Sequence, residues 1–171
     1  MTKSGPGEVY WEDRTVQNAV REITQHDDVA NWRQLVFDVR SFRDPYHGRF
    51  RNHCGYHHGI IDGLTQQTQE AEDLLVAVHR AITTETPQPT LLAFVCRSGR
   101  HRAVAWACIF DRLLRWCVPG PQFYLSESFY AKTDYHIVGC KYCDECMRSS
   151  TRRERAIDRI ADRWITLCRN P

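Results

Sequence analysis

The spacing of apolar residues along the chain predicts four helices. Apolar positions recur at intervals of three and four over residues 12–24, 65–83 and 150–168, which is the period of one buried helix face. Residues 103–116 are mostly apolar in their first half, which predicts a largely buried helix. The stripe of the last helix is the most regular of these patterns and consists of Ile157, Ile160, Ala161, Trp164, Ile165 and Cys168.

Two compact apolar runs predict strands that are buried on both faces. They cover residues 34–39 and 91–95, and shorter strands are predicted at 122–125 and 135–138. Residues 40–59 show no period and predict a long loop. Alternating strands and helices indicate an α/β fold, with a layered sheet of mostly parallel strands, flanking helices and an anion-binding loop after a central strand.

The length of 171 residues fits one domain with small additions. We expect a tail and helix over residues 1–30 and an α/β domain over 31–130. Residues 131–171 would add a cysteine-rich segment and a terminal helix that packs on the same domain.

The composition is that of a soluble globular protein, with 42% hydrophobic and 26% charged residues. A net charge of +2 is too small to indicate a class of partner. No apolar stretch resembles a signal peptide or a membrane span, so we expect no membrane association and a cytoplasmic or nuclear location. Thiols stay reduced there, and the eight cysteines need an explanation other than disulfides.

The segment from Cys96 to Arg102 joins a predicted strand to a predicted helix. Helix N-termini carry unpaired N–H groups and partial positive charge, and they bind phosphate-like anions. Gly99 would let successive N–H groups point inward, and Arg102 can fork onto two anion oxygens. The candidate ligand-binding residues in this loop are Cys96, Arg97, Ser98, Gly99, Arg100, His101 and Arg102.

Cys96 and Arg102 also have the C-x5-R spacing of cysteine-dependent phosphatases. In that alternative the Cys96 thiolate attacks phosphorus, Arg102 binds the phosphoryl oxygens, and Asp44 or Asp62 protonates the leaving group. Val95 and Ala103 stand where such phosphatases carry a histidine and a hydroxyl residue. We therefore expect a binding module rather than an enzyme.

Three stretches of the chain resemble the C-terminal domain of the RapZ RNase-adaptor family. Residues 36–46 (VFDVRSFRDPY) are similar to the family pattern V-F-D-V-R-F-x-x-N-P-[HY]. Arg51, Gly55 and Ile60 fit its R-x-x-T-G-x-x-x-x-V, and residues 96–104 (CRSGRHRAV) resemble C-T-G-G-x-H-R-S-V. The resemblance covers roughly residues 34–126 and is most specific in the loop.

The resemblance implies a non-enzymatic domain that binds a phosphorylated amino sugar and regulatory RNA and delivers the RNA to a ribonuclease. It places the ligand pocket between the aspartate–arginine strand end and the loop, which here means Asp38, Arg40, Cys96, Gly99, His101 and Arg102. The chain departs from the pattern at Cys54, at Ser98 and at residues 123–126, where a family H-R dipeptide is missing.

A cysteine cluster follows the part of the chain that resembles the family. Cys140, Cys143 and Cys146 have C-x2-C-x2-C spacing, and His136 lies four residues ahead, which suits tetrahedral zinc. An iron–sulfur cluster is the alternative metal centre, and unligated thiols are the alternative without metal. The fourth ligand stays open among His136, Cys168, His53, Cys54, His57 and His58.

A third alternative is a metal-stabilised protein-interaction domain. Trp164 and the arginines at 152, 153 and 155 would then contact a protein partner. The regular stripe of this helix favours packing of Trp164 in the core instead, with the arginines as a solvated face or a weak phosphate-contacting patch.

Overall fold

The computed structural model describes residues 32–45, 48–50, 52–83, 89–96, 101–117, 146 and 150–169. Its elements, in chain order, are β1 (Arg33–Asp38), α1 (His58–Thr65), α2 (Thr68–Thr83), β2 (Thr90–Val95), α3 (Arg102–Cys117) and α4 (Ser150–Arg169). The elements predicted at 12–24, 122–125 and 135–138 lie outside the described residues.

The two strands form a parallel sheet with Asp38 opposite Val95. The Val39 backbone N–H donates to the Val95 carbonyl at 2.9 Å, which continues the pairing one residue past β1. Parallel strands joined through helices confirm the predicted α/β class. In β1, Val36 and Phe37 are buried and point to opposite faces of the sheet, whereas the other four residues are half-buried, so the predicted burial of both faces holds for part of the strand only.

The core lies between the sheet and the helices. The Phe94 ring of β2 stacks on Phe110 of α3 at 5.2 Å, and Phe110 meets Trp164 of α4 edge-on at 5.5 Å. Helix α4 packs on α1, α2 and α3 through buried residues of its predicted stripe, Ile157, Ile160, Ala161 and Trp164. Burial of these side chains is the main stabilising term for α4, since exposed arginines cover much of its other face.

Helix α1 lies partly in the segment predicted to be a loop, so that part of the prediction was wrong. His57 is its N-cap, and the His57 Nδ1 atom accepts a hydrogen bond from the Gly59 N–H at 3.1 Å. Ile60, Ile61 and Leu64 are fully buried. Two glycines and only two helical turns weakened the sequence signal. The predicted start of the next helix at residue 65 was also early, since α2 begins at Thr68.

Within the described ranges, no helix combines the length and the apolar content that a membrane span needs.

Candidate functional site

The carboxyl ends of β1 and β2 bring Asp38 and Arg40 beside Cys96. The Asp38 carboxylate accepts from Nε and Nη2 of Arg40, at 2.6 Å for the shortest contact, and from the Arg40 backbone N–H at 2.8 Å. Asp38 therefore fixes both the turn after β1 and the direction of the Arg40 guanidinium. The Cys96 thiol is buried directly after β2.

Arg102 fastens the loop after β1 to the first residue of α3. Its Nη1 donates to the carbonyl oxygens of Arg40 and Phe42, both at 2.7 Å. Among the described residues, its Nε and Nη2 groups make no hydrogen bond. One nitrogen of the guanidinium thus holds the backbone, and the other two are the atoms that could contact a ligand.

His101 connects the start of α3 to two further segments. Its Nδ1 lies 3.1 Å from the Asp44 carboxylate, and its Nε2 lies 3.0 Å from the His53 carbonyl oxygen. Both partners are acceptors, so a protonated ring donates to both and a neutral ring donates to one. His101 is buried, and this pairing fixes the orientation of its ring at the end of the loop.

Gly55 allows the loop before α1 to lie directly on the first turn of α3. A Cβ atom at this position would lie within 2.3 Å of the Ala105 nitrogen and of the His101 carbonyl oxygen, so no side chain fits there. The same carbonyl of His101 accepts the Ala105 N–H at 2.9 Å, as the first helical bond of α3. Close packing against α3 therefore explains why a glycine stands at this position of the R-x-x-T-G pattern in this chain.

The loop residues Arg97, Ser98, Gly99 and Arg100 lie outside the described residues. The two ends of the loop, Cys96 and His101, are described and lie at the carboxyl edge of the sheet. The two candidate acids for phosphatase chemistry have different surroundings. Asp44 pairs with His101, whereas Asp62 lies on α1 and contacts Gln66 and Arg159.

The charges of the described side chains at this edge nearly cancel. The carboxylates of Asp38 and Asp44 offset the guanidiniums of Arg40 and Arg102. A ligand anion would therefore gain little from this set alone. Further positive charge comes from the N-terminus of the 16-residue helix α3, which has no acidic residue in its first turn.

A second group of chemically active side chains lies on the far side of the loop before α1. The ligand atoms of His53, His57 and Cys146 lie within 4.8 Å of one another and could hold a metal ion. The Cys146 sulfur lies 3.4 Å from Nδ1 of His53. His57 and Cys146 are buried, and the Phe50 ring packs 4.3 Å from the His57 ring.

The predicted metal ligands are brought together only in part. Cys140, Cys143 and His136 lie outside the described residues. Of the six candidates for the fourth ligand, the structure places His53 and His57 with Cys146. The sequence pattern alone could not choose them, because 93 residues separate His53 from Cys146.

Of the residues predicted to contact a protein partner, Trp164 does not lie at the surface. Trp164 is fully buried and contacts Phe110 and His79, as the core interpretation of the stripe predicts. Arg152 and Arg155 are exposed, and Arg153 donates to the Tyr56 carbonyl at 3.2 Å.

Comparison with known proteins gives one match. The model of the RapZ C-terminal domain family matches residues 20–117, which is more than half of the chain and includes both strands and helices α1 to α3. Searches for similar curated proteins and for similar solved structures found no match. The family model ends where α3 ends, so the cysteine cluster and α4 lie beyond the matched residues. The chain therefore belongs to the RapZ C-terminal domain family.

Proposed function

We propose that the carboxyl edge of the sheet binds the phosphate group of a small phosphorylated metabolite. The observation that carries the proposal is that Arg102, whose Nε and Nη2 make no hydrogen bond among the described residues, begins α3 beside the carboxyl edge, where the helix N-terminus has no acidic residue in its first turn. A phosphate bound there would accept from backbone N–H groups of the loop and from Nε and Nη2 of Arg102. Membership in the RapZ C-terminal domain family supports the same interpretation.

An RNA ligand is the other source of phosphate that the family suggests. RNA binding draws on many phosphate contacts and a broad basic surface. The net charge of the chain is only +2, and the described side chains at this edge nearly cancel one another. We therefore favour the small metabolite, and we propose a reducing compartment, cytoplasmic or nuclear, as the location.

Calorimetric titration with a hexosamine phosphate at constant ionic strength tests the proposal. We expect binding that the unphosphorylated hexosamine does not show. Because a charge-assisted hydrogen bond contributes about 1.5–3 kcal/mol, Arg100→Ala should weaken the affinity by roughly tenfold or more. The matched control is Arg152→Ala on the exposed face of α4, which should change the affinity by less than about twofold.

Two outcomes of this titration would count against the proposal. Equal affinity for the phosphorylated and unphosphorylated sugars would exclude a phosphate site. Tight binding of single-stranded RNA with a steep dependence on salt, and no binding of the sugar phosphate, would instead favour the RNA interpretation.

We expect no phosphatase activity from Cys96. Asp44, the candidate acid beside His101, is paired with that ring, and Val95 and Ala103 stand where such phosphatases carry a histidine and a hydroxyl residue. Hydrolysis of an aryl phosphate should stay at background for the wild type and for Cys96→Ser alike. Turnover that disappears specifically in Cys96→Ser would establish the phosphatase alternative.

For the group formed by His53, His57 and Cys146, we propose zinc as the metal. Imidazole and thiolate ligands suit this ion, and tetrahedral Zn–N and Zn–S bonds place nitrogen and sulfur about 3.6 Å apart, close to the 3.4 Å between His53 and Cys146. We propose Cys143, three residues ahead of Cys146, as the fourth ligand, with Cys140 and His136 as the alternatives.

Binding of zinc would remove one stabilising hydrogen bond at His57. A metal-bound imidazole keeps no second lone pair, so the capping bond from the Gly59 N–H to His57 must be given up. Loss of such a cap costs about 1 kcal/mol. Structural zinc sites contribute on the order of 10 kcal/mol, so the cost does not prevent binding.

A further inference from the structure

The segment from His53 to His57 separates the metal group from the phosphate edge. On one side, the His53 carbonyl faces Nε2 of His101, and the backbone at Gly55 lies on the first turn of α3. On the other side, the rings of His53 and His57 lie next to the sulfur of Cys146. His53 therefore takes part in both places, with its ring in one and its carbonyl oxygen in the other.

The segment is short, follows one tight turn and contains a second one. The His53 N–H donates to the Phe50 carbonyl at 3.0 Å, and the His57 N–H donates to the Cys54 carbonyl at 2.9 Å. With so little backbone between the two histidines, a restraint on both rings is also a restraint on the His53 carbonyl. A metal ion would supply that restraint, because it binds both rings at fixed distances and ties them to Cys146.

We infer that metal binding by His53, His57 and Cys146 positions His101 and thereby raises the affinity of the phosphate site. This inference rests on the proposed phosphate-binding function. The path is direct: the ion holds the His53 ring, the His53 carbonyl holds Nε2 of His101, and His101 ends the loop that starts at Cys96. His53 acts as a positioning residue, since its contact is with His101 and not with the ligand.

His101 is suited to carry this coupling. It is buried, and its other nitrogen faces Asp44, so its ring is held only when both partners are in place. If the His53 carbonyl shifts, the ring keeps one partner and can rotate. The N-terminal turn of α3 then loses a fixed contact, and an anion bound at this helix end meets a less preorganised site.

The test compares full-length protein loaded with one equivalent of zinc against chelator-treated protein, with inorganic phosphate as the probe. We expect the zinc-loaded protein to bind phosphate at least fivefold more tightly. Cys146→Ser should show the weaker affinity with or without zinc, because the variant lacks the thiolate of the metal group. The matched control is Cys168→Ser, a half-buried cysteine on α4 outside the metal group, which should keep the zinc dependence.

A second measurement does not need phosphate binding. The Nε2 proton of His101 should give a slowly exchanging NMR signal in zinc-loaded protein, and chelation should broaden or remove that signal. If Cys146→Ser does not fold, the comparison uses wild-type protein from which zinc is removed by a chelator below the melting temperature. Cobalt(II) in place of zinc should show the intense visible absorption of a tetrahedral thiolate site.

The outcomes separate the inference from the proposed function. Bound zinc with no change in phosphate affinity or in the His101 signal would overturn the inference and leave phosphate binding standing. A zinc-dependent His101 signal without any phosphate binding would support the positioning of His101 and contradict the proposed function. Absence of metal binding by the wild type would overturn the inference directly.

Discussion

Gly55→Ala is expected to destabilise the protein severely. The new Cβ atom would lie within 2.3 Å of two backbone atoms of α3 and 2.8 Å from Cβ of Val104, and backbone cannot move aside as a flexible side chain can. Overpacking typically costs 1–3 kcal/mol, so we expect a loss of about 3 kcal/mol or more in the free energy of unfolding. For a chain of this size, that corresponds to a melting temperature roughly 10 °C lower.

Gly48→Ala is the matched control for this prediction. No described atom lies within 4 Å of a Cβ at Gly48, so we expect a change of less than about 0.5 kcal/mol. Thermal melts of the two variants in parallel make the comparison. Similar melting temperatures for Gly55→Ala and the wild type would show that the loop before α1 does not lie on α3 as described.

Arg102→Ala is expected to lower both stability and phosphate affinity. Two carbonyl oxygens in a part-buried setting would lose the cationic donor at 2.7 Å, and hydrogen bonds to charged groups contribute about 1.5–3 kcal/mol each. We therefore expect a loss of about 3 kcal/mol in the free energy of unfolding, measured by urea titration in buffer without phosphate. Phosphate affinity should fall tenfold or more in the fraction that stays folded, since Nε and Nη2 are removed as well.

Arg115→Ala provides the control on the same helix. Arg115 is exposed and pairs with Asp111 one turn away, an interaction that contributes about 0.3–0.5 kcal/mol. Its loss should leave both measurements nearly unchanged. If the midpoint of urea unfolding is the same for Arg102→Ala and for the wild type, Arg102 does not fasten the loop after β1. Only its proposed contact with the anion would then remain.

The elements that the sequence predicted well are those with a strong local period. The stripe of α4 and the apolar runs of β1 and β2 located these elements to within one or two residues. Helix α1 was missed because it is short, carries two glycines and begins at a histidine cap. Capping by His57 is a feature of the folded loop that no hydrophobic period encodes.

The residues of the candidate site were named from motifs, and the pairing of Asp38 with Arg40 could be expected from their spacing, but the other contacts could not. Asp38 and Arg40 were expected to reach a pocket shared with Arg102, and the structure shows Asp38 pairing with Arg40 while Arg102 binds backbone carbonyls. The link from His101 to Asp44 and to the His53 carbonyl spans 57 and 48 residues, so no local pattern could reveal it. The binding of one ligand by both the strand ends and the loop stays a prediction.

Chemical-shift mapping during a titration with inorganic phosphate, at constant ionic strength and with zinc-loaded protein, tests the central claim most directly. The account predicts saturable shifts of backbone amides at residues 96–105 and 38–42, together with the His101 side chain, and a weaker response in Arg100→Ala. Shifts confined to the exposed arginines of α4, such as Arg152 and Arg155, or a linear response without saturation, would contradict a phosphate site at the carboxyl edge of the sheet.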